Sequence, residues 1–416
     1  MAFNPCIYPG QLLLPKNGTD LTAWACVACD QYTSQPEYWQ QVELQVGSKP
    51  SAYRMILPEC YLDKSAQLIP GIHQTMAQYV ADGTLVPAVQ QGFVLVERIT
   101  PTGARLGLVC LLDLETYDNK PGSKPLVRAS EGTIFERIPP RVKIRQGAPL
   151  ESAHVMLLMD DPMRSVVEPL YEKRDQLEKL YDFPLMMNGG HLVGYAVTDA
   201  ADIQALYAAL ERLSGGQDPM LFAVGDGNHS LATAKAIWET VRPTLTPAET
   251  VTHPARFAMV EIENIYDDAL QFEPIHRVLF GYDGDQLLND LQAFAVAHRG
   301  QLIDPDESQN ITLVYEGKEV TIAIPTSHQL AVGDLQIFLD DWMKSHPGVT
   351  LDYIHGEDTV RQLAAQPNTI GFLLPKPDKA LFFEQIRQLG ALPRKTFSMG
   401  EANEKRYYME CRKIVR

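Results

Sequence analysis

Apolar and polar residues alternate with two different periods along the chain, and these periods predict a mixture of strands and helices. Runs of period two at 92–99 and 105–114 flank the polar turn at 100–104, so they predict a β-hairpin. Spacing close to 3.6 predicts helices at 66–82, 162–180, 199–213, 284–298 and 335–345. Because strands and helices follow one another along the chain, we predict an α+β (mixed α/β) fold.

The length and one proline-rich segment predict two domains. The 416 residues exceed the roughly 250 to 300 at which a single core stops growing. The segment 242–254 contains three prolines and several hydroxyl side chains, which is typical of a connection. We therefore predict an N-terminal α+β domain at 1–245 and a C-terminal α+β domain at 246–416.

A tight polar turn at 225–230 joins an apolar run to an alanine-rich helical pattern. Gly225 and Gly227 permit positive φ there, and the following helix would direct N–H groups and a positive dipole end at the turn. Such a turn suits a phosphate or a carboxylate. The side chains that would surround the same point are those of Asp226, Asn228 and His229. The structural alternative is that Asp226 or Ser230 simply caps the helix.

Composition excludes several classes of protein. A formal charge of −16 argues against nonspecific nucleic-acid binding, which depends on lysine and arginine. Nowhere do 18 consecutive apolar residues occur, and the start of the chain lacks the pattern of a signal peptide, so we predict a soluble cytoplasmic protein that binds no membrane. The sequence predicts no oligomeric state.

The six cysteines are too sparse for a disulfide scaffold. Cys26 and Cys29 have the spacing of a redox dithiol or of half a zinc site, but no second pair is present in the sequence. We expect no structural zinc and interpret both thiols as packing residues.

Common nucleotide, zinc-protease and serine-hydrolase motifs are absent from the sequence, which leaves a scattered polar constellation. Its members are Asp30, Arg128, Glu131, Arg141, His191, Asp226, Asn228, His229, His276 and Arg277. Of these, His276 and Arg277 interrupt an apolar run, where they could bind an anion or form a structural salt bridge.

Several of these positions resemble the domain-of-unknown-function 1015 (DUF1015) family, whose hallmark is an Asp-Gly-His-His-Arg-Tyr-x-x-Ala box after a strand. The corresponding stretch here is Asp-Gly-Asn-His-Ser-Leu-Ala-Thr-Ala at 226–234. Further matches follow in family order over nearly the whole chain, at Ala28–Asp30, Val127–Thr133, Pro140–Arg141, His191–Leu192, Pro274–Arg277 and Leu392–Phe397.

The chain departs from the family box at two positions. Asn228 stands in place of the first histidine, and Ser230 stands in place of the arginine. Loss of that arginine removes a fixed cation from a phosphate site. Either another basic residue such as Arg141 or Arg277 supplies the charge, or the activity differs.

The family box is itself similar to the Gly-x-x-Arg box of the ParB and sulfiredoxin-like superfamily, which includes nucleotide-binding ParB proteins and free-serine kinases that use ADP. The resemblance implies a ParB/sulfiredoxin-like core in the N-terminal domain. It also implies a nucleotide phosphate near Gly227–His229 and a carboxylate that acts on a substrate hydroxyl.

The leading hypothesis is a phosphotransferase that uses ATP or ADP with Mg²⁺ and acts on a small hydroxylated metabolite, such as free serine. In it Asp226 or Glu131 accepts the hydroxyl proton or holds Mg²⁺. The residues expected to bind phosphate or substrate, besides His229, are Gly225, Gly227, Asn228, Ser230, Arg128, Arg141, His191, His276, Arg277 and Asp30. Two alternatives stay open: a non-catalytic protein that binds a nucleotide or metabolite, and a hydrolase or lyase that uses Asp226 and His229 as acid and base.

Overall fold

A computed structural model describes residues 3–120, 122–132, 138–152, 155–215, 218–298, 309–324 and 330–415. The chain divides into two units, of which the first comprises residues 1–271 and 399–416 and the second residues 272–398. This division differs from the predicted boundary after residue 245. The strand Phe257–Asn264 lies beyond that boundary but pairs within the first unit's sheet, with Gly107–Asp113 on one side and Val155–Met159 on the other.

From residue 7 to residue 264, strands and helices follow one another along the chain of the first unit. In chain order they are β1 Ile7–Tyr8, β2 Gly10–Pro15, α1 Leu21–Trp24, β3 Cys26–Val27, α2 Pro36–Val46, α3 Ser65–Ala81, β4 Leu85–Thr100, β5 Gly103–Asp113, β6 Tyr117–Asp118, β7 Val127–Arg128, α4 Ile138–Arg145, β8 Leu150–Glu151, β9 Val155–Met159, α5 Glu168–Glu172, β10 Glu178–Pro184, β11 His191–Val197, α6 Ala200–Leu213, β12 Phe222–Asp226, α7 Asn228–Val241, α8 Pro247–Thr252 and β13 Phe257–Asn264.

The second unit and the C-terminal return complete the chain. Their elements are β14 Phe272–Phe280, α9 Gly284–His298, β15 Gln309–Tyr315, β16 Lys318–Ile324, α10 Ala331–Trp342, β17 Thr350–His355, α11 Glu357–Ala364, β18 Thr369–Leu373, α12 Phe382–Leu389, β19 Phe397–Met399, β20 Tyr407–Tyr408 and β21 Arg412–Lys413. The mixed α/β fold class that the sequence predicts is confirmed. In the described part of the chain, no helix is long and apolar enough to cross a membrane.

One mixed sheet forms the centre of the first unit, in the order β10-β11-β4-β5-β13-β9-β12-β7-β6. The predicted hairpin is present as β4 and β5, which pair antiparallel from Val94 opposite Val109 to Thr100 opposite Gly103. Strand β9 lies near the middle of the sheet, and all five of its residues are buried. A strand covered on both faces is expected to be apolar throughout. The second unit has its own sheet, in the order β16-β15-β18-β14-β17.

The predicted helix at 162–180 is wrong for most of its length. The buried Asp161 carboxylate accepts the backbone N–H groups of Ser165 (2.5 Å) and Val166 (3.0 Å), and this local bonding competes with a helix. A single helical turn follows as α5, and the chain then extends as β10 to pair antiparallel with β11. Pairing across the sheet thus overrides the local 3.6-residue spacing. The predicted helix at 199–213 is present as α6, with Asp199 as its N-cap.

A buried cluster of charged residues covers one part of the first sheet. Arg105 pairs with Glu263 at 3.0 Å, and the neighbouring Arg98 and Glu261 are also buried. Burial raises the pKa of Glu263 to about 8; Arg105 opposes this shift, while Glu261 and Asp267 reinforce it. Moving such charges out of water costs free energy. Because the pKa of Glu263 differs between the folded and the unfolded chain, the stability of the fold depends on pH.

We expect Glu263→Gln to flatten the dependence of stability on pH. Because the pKa of Glu263 rises from 4.5 in the unfolded chain to about 8 in the fold, its protonated form favours folding, and that contribution is lost as pH increases through this window. Glutamine stays neutral, so the free energy of unfolding of Glu263→Gln should fall less than that of the wild type over the window. Urea denaturation at both ends of the window measures this difference.

The matched control is Glu172→Gln, which removes an exposed carboxyl from the same unit. It should keep the wild-type dependence on pH. Equal slopes for Glu263→Gln and the wild type would contradict the assigned coupling.

Candidate functional site

The polar turn joins strand β12 to helix α7 through a single left-handed residue. Strand β12 ends at Asp226, Gly227 has φ 99° and ψ 27°, and α7 begins at Asn228. Gly227 occupies the N-cap position, and in the described chain no side chain caps this helix. The capping alternative for Asp226 and Ser230 is therefore not what the structure shows. The N-terminal end of α7 is left with the polarity that suits an anion.

Both glycines of the turn are required by close neighbours. A Cβ at Gly225 would lie 2.4 Å from the sulfur of Met399, and a Cβ at Gly227 would lie 3.0 Å from Nη1 of Arg406. Both neighbours belong to the C-terminal segment, which we define as residues 399–415. This segment therefore packs directly against the turn.

Arg406 places a guanidinium between two residues of the DUF1015-like box. Its Nη1 donates to Oγ of Ser230 at 3.2 Å, and its Nε lies 3.7 Å from Oδ2 of Asp226. Among the described residues, neither this Nε nor this Oδ2 has a hydrogen-bond partner. Burial opposes the charge on Arg406, but the Asp226 carboxylate holds its pKa above the ordinary value. Arg406 therefore stays a fixed cation at the turn.

This contact resolves the question raised by Ser230. The family box carries an arginine at that position, and here a guanidinium reaches the serine hydroxyl from a residue 176 positions away. The sequence suggested Arg141 or Arg277 as the replacement. In the structure the guanidinium that contacts Ser230 is that of Arg406, because β20 pairs with β3 and fixes the backbone next to Arg406 in the first unit.

Asn228 ties a second segment to the turn. Its amide Nδ2 donates to Oγ of Ser130 at 3.1 Å, and its Oδ1 accepts the backbone N–H of Ser130 at 3.2 Å. Glu131 follows directly and is half-buried. Glu131 thus directly follows the residue that Asn228 contacts. His229, the second residue of α7, is also half-buried.

Arg128 is used differently from the prediction. Its guanidinium is buried and bonds both oxygens of the Asp218 carboxylate, one of them at 3.3 Å, while its Nε donates to the carbonyl of Pro125 at 3.1 Å. A guanidinium satisfied in this bidentate way holds strand β7 and the segment before β12 together. Arg128 is therefore a structural ion pair in this conformation.

A cavity opens beside the first turns of α7. Its empty space, counted out to the open mouth and therefore including solvent, is about 990 Å³. The polar part of its wall comprises Glu59, Arg141, Arg145, Glu151, Ser152, Ser230, Thr233 and Arg406. The apolar part includes Trp39, Met55, Ile56, Leu57, Leu62, Met76, Ile144 and Leu150. Ser230 and Arg141 are the predicted residues that line the described wall.

The arginines of the cavity wall are paired with carboxylates. Arg141 bonds Glu59, and Nη1 of Arg145 donates to Glu151 at 2.5 Å. Glu151 also accepts from Nε of Arg412 at 2.7 Å. Burial alone would raise the pKa of Glu151, but Arg145 and Arg412 together hold it below its ordinary value. The polar wall is therefore a set of ion pairs between guanidinium and carboxylate groups.

His191 lies far from the turn along the sheet. Its Nε2 is 2.7 Å from Oδ1 of Asp182 on the neighbouring strand. Strand β11 is five strand positions from β12, roughly 24 Å at the usual spacing of about 4.8 Å. The structure thus does not bring His191 to Asp226.

His276 and Arg277 belong to the second unit and are satisfied within it. Nδ1 of His276 accepts the backbone N–H of Leu374 at 3.1 Å, and burial lowers the pKa of this imidazole. Arg277 is fully buried and donates to backbone carbonyls, among them those of Lys395 (2.9 Å) and Arg394 (3.1 Å). Both side chains therefore act as packing and hydrogen-bonding residues of that sheet. The side chain of Asp30 lies outside the described residues.

The sequence interpretation missed Arg406, Arg145, Glu59 and Glu151. The one signal for Arg406 was indirect, since Ser230 requires a cation from elsewhere in the chain. No local pattern predicts that residues 176 positions apart will meet. The other three lie in segments whose own periodicity indicates only short helices or strand ends.

The description "Protein of unknown function (DUF1015)" belongs to the family that matches this chain, over residues 13–342. The chain belongs to the DUF1015 family. The match covers more than half of this DUF1015 chain and ends before the C-terminal segment, so Arg406 lies outside it. No curated protein matches the chain.

Solved structures with a similar fold share little sequence with this DUF1015 chain. A free serine kinase variant in complex with AMP has 12% identity and a TM-score of 0.41, and covers 74% of this chain and 92% of its own. Another variant of that kinase, in complex with ADP, has 12% identity, a TM-score of 0.40 and the same coverage. A conserved hypothetical protein from Pyrococcus furiosus has 11% identity and a TM-score of 0.38, and the match covers 74% of this chain and 95% of that protein. Likeness at this level transfers no residue's role.

We expect Gly227→Ala to destabilise the fold more than Gly18→Ala. Both glycines have positive φ, 99° and 87°, so both substitutions strain the backbone by ~1 kcal/mol. At Gly18 no atom lies within 4 Å of the added Cβ, whereas at Gly227 the Cβ also contacts Arg406 and Val155. The extra crowding should add ~1 kcal/mol or more to the loss in unfolding free energy. Equal losses, measured by urea denaturation, would show that Arg406 does not press on the turn.

We expect Arg406→Met to lower the free energy of unfolding by ~1–3 kcal/mol, since it leaves the half-buried Asp226 carboxylate without its cation. The double variant Arg406→Met with Asp226→Asn removes both charges and should recover part of the loss. Thermal and urea unfolding of four proteins, the wild type, Arg406→Met, Asp226→Asn and the double variant, form a double-mutant cycle. Additive losses would contradict an interaction between the two side chains.

Proposed function

We propose that this protein is a nucleotide-dependent phosphotransferase that acts on a small hydroxylated metabolite. The cavity beside the turn takes the phosphates of the nucleotide, and the metabolite binds at the same polar wall. The observation that carries the proposal is the position of Arg406, a fixed cation at the uncapped N-terminal end of α7 and in the wall of a cavity.

The electrostatics of the wall favour a phosphate over a carboxylate. The wall contains three guanidinium groups, those of Arg406, Arg141 and Arg145. A planar guanidinium can bind two oxygens of one phosphate at the same time. The dipole of α7 adds positive potential at the same end of the helix. The Ser230 hydroxyl accepts from Arg406 and can donate its own proton to a phosphate oxygen in the cavity. Transfer of a phosphoryl group depends mainly on such positioning and charge neutralisation.

The apolar part of the wall suits the base of a nucleotide. Trp39, Met55 and Met76 line the cavity and offer an aromatic ring and two polarisable thioethers. A cavity that is apolar at one part and cationic at another matches a ligand with a flat ring and a phosphate chain.

Asp226 provides the base for the transfer. As the substrate oxygen forms its bond to phosphorus, the bond to the leaving oxygen of the nucleotide breaks and the hydroxyl proton passes to the Asp226 carboxylate. Arg406 neutralises charge that develops on the transferred group. Among the described residues, no group of three or more His, Cys, Asp or Glu is placed to hold a metal. Mg²⁺ in such enzymes is bound by one or two carboxylates and the phosphates, so with Asp226 as the base Glu131 would hold the ion, which would supply further charge neutralisation.

One observation favours a second candidate, a non-catalytic nucleotide-binding protein. The Asp226 carboxylate is already paired with Arg406, so the group proposed as the base is engaged in an ion pair before any substrate binds. In that case the protein binds the nucleotide at the same wall and forms no product.

The two candidates are distinguished by incubating the purified protein with ATP or ADP, Mg²⁺ and a panel of small hydroxylated metabolites, with products measured by mass spectrometry. The proposal predicts a phosphorylated product and a nucleotide-dependent increase in melting temperature. Arg406→Met should reduce kcat/KM by about a hundredfold or more, which corresponds to loss of one charge-stabilising contact in the transition state.

The matched control is Arg242→Met, which removes a half-exposed arginine next to the other end of α7. It should keep wild-type kinetics. A melting shift without product supports the binding protein instead. Absence of both product and shift would show that the cavity is not a nucleotide site, and a product formed without any nucleotide would indicate a hydrolase or lyase.

A further inference from the structure

The backbone immediately before Arg406 is held by another buried arginine. Nη1 of Arg98 donates to the carbonyls of Glu404 (2.9 Å) and Lys405 (2.5 Å), and its Nη2 donates to the carbonyl of Asn403 (2.6 Å). Nε and Nη2 both donate to the carbonyl of Gly189, at 3.2 and 2.9 Å. Arg98 is completely buried on strand β4. Its planar fork thus bonds three consecutive residues of the C-terminal segment.

Burial of the Arg98 guanidinium costs free energy, because the charge loses its hydration. Burial lowers the pKa of Arg98 to about 10, and the charge of the neighbouring Arg105 adds to the effect. In the described part of the chain, the hydrogen bonds of Arg98 go to backbone carbonyls and no carboxylate forms an ion pair with it to offset the loss of hydration. Arg105, opposite Arg98 on strand β5, donates to the Glu404 carbonyl as well, at 3.3 Å. Two arginines therefore converge on the residues that lead to Arg406.

We propose that Arg98 is a positioning residue for the candidate site: it fixes the backbone at 403–405 so that the Arg406 side chain reaches Ser230 and Asp226. The inference rests on the proposed function only in that Arg406 belongs to the site. On the other side of Arg406, Tyr407 and Tyr408 pair with Val27 and Cys26. Arg98 clamps the upstream side and the β20–β3 pair the downstream side. The cation is thus supplied by a segment that must dock on the first unit before the site is complete.

A thiol at the edge of the cavity reports on this docking. Cys29 lines the cavity, is 7% exposed, and its Sγ lies 3.7 Å from the carbonyl of Ala402 in the C-terminal segment. If residues 402–405 detach, Cys29 becomes accessible to solvent. Cys60 is half-buried and serves as an internal reference, and neither thiol is in a disulfide.

The experiment measures alkylation of Cys29 relative to Cys60 by iodoacetamide and mass spectrometry in the full-length wild type, Arg98→Met and Arg98→Lys. Lysine keeps the charge but cannot bond several carbonyls as a planar fork. We expect the relative rate at Cys29 to increase by about tenfold or more in Arg98→Met, the change expected from loss of charge-assisted hydrogen bonds to a locally opening segment, and less in Arg98→Lys.

The matched control is Arg256→Met, which removes an arginine paired with the buried Asp113 elsewhere in the first unit. It lowers stability while leaving the hydrogen bonds of Arg98 to residues 403–405 in place, and Cys29 should stay as protected as in the wild type. If Arg98→Met fails to fold, Arg98→Lys against Arg256→Met gives the same comparison. Unchanged protection of Cys29 in a folded Arg98 variant overturns the proposal.

Nucleotide binding provides the second readout. Arg98→Met should weaken binding of ADP by about tenfold or more, and combining it with Arg406→Met should weaken binding no further than Arg406→Met alone. Additive losses overturn the positioning role, because they would mean that Arg98 acts independently of Arg406. If the wild type binds no ADP, the proposed function is wrong, and the labelling of Cys29 still decides whether Arg98 positions the segment.

Discussion

The contact of Arg406 with Ser230 and Asp226 is the interaction on which the candidate site depends. It places a permanent positive charge at the uncapped start of α7, next to a left-handed glycine and in the wall of a cavity. An isolated buried cation would be unstable there, and the Asp226 carboxylate offsets its desolvation. In the proposed site, an incoming anion would share the Arg406 charge with Asp226.

Contacts elsewhere in the first unit bring the Arg406 side chain to the turn. The chain leaves the first unit after residue 271 and returns at 399. On its return, the backbone N–H of Gly400 donates to the carbonyl of Gln271 at 2.9 Å, and the segment then crosses the sheet over Arg98 and Arg105. Gly225 is a glycine because Met399 packs against it. Strand β12, the turn and the C-terminal segment therefore pack together, and each restricts the position of the others.

The sequence predicts the local parts of this arrangement well. Glycines at 225 and 227 followed by an alanine-rich run predict the strand, turn and helix, because backbone freedom and helix propensity are local properties. The sequence fails to predict the role of a side chain when its partner lies far away along the chain. Arg128 has the chemistry of a phosphate ligand, but Asp218 satisfies it. His191 stands in family order yet lies five strands from the turn, since order along a chain says little about position across a sheet.

The most direct test is a crystal structure of the protein with ADP. The account predicts that phosphate oxygens lie within hydrogen-bond distance of Arg406 and Ser230, with the base against the apolar wall that includes Trp39. ADP bound elsewhere, with the Arg406 guanidinium still in contact only with Asp226 and Ser230, would contradict the assignment of this cavity as the nucleotide site.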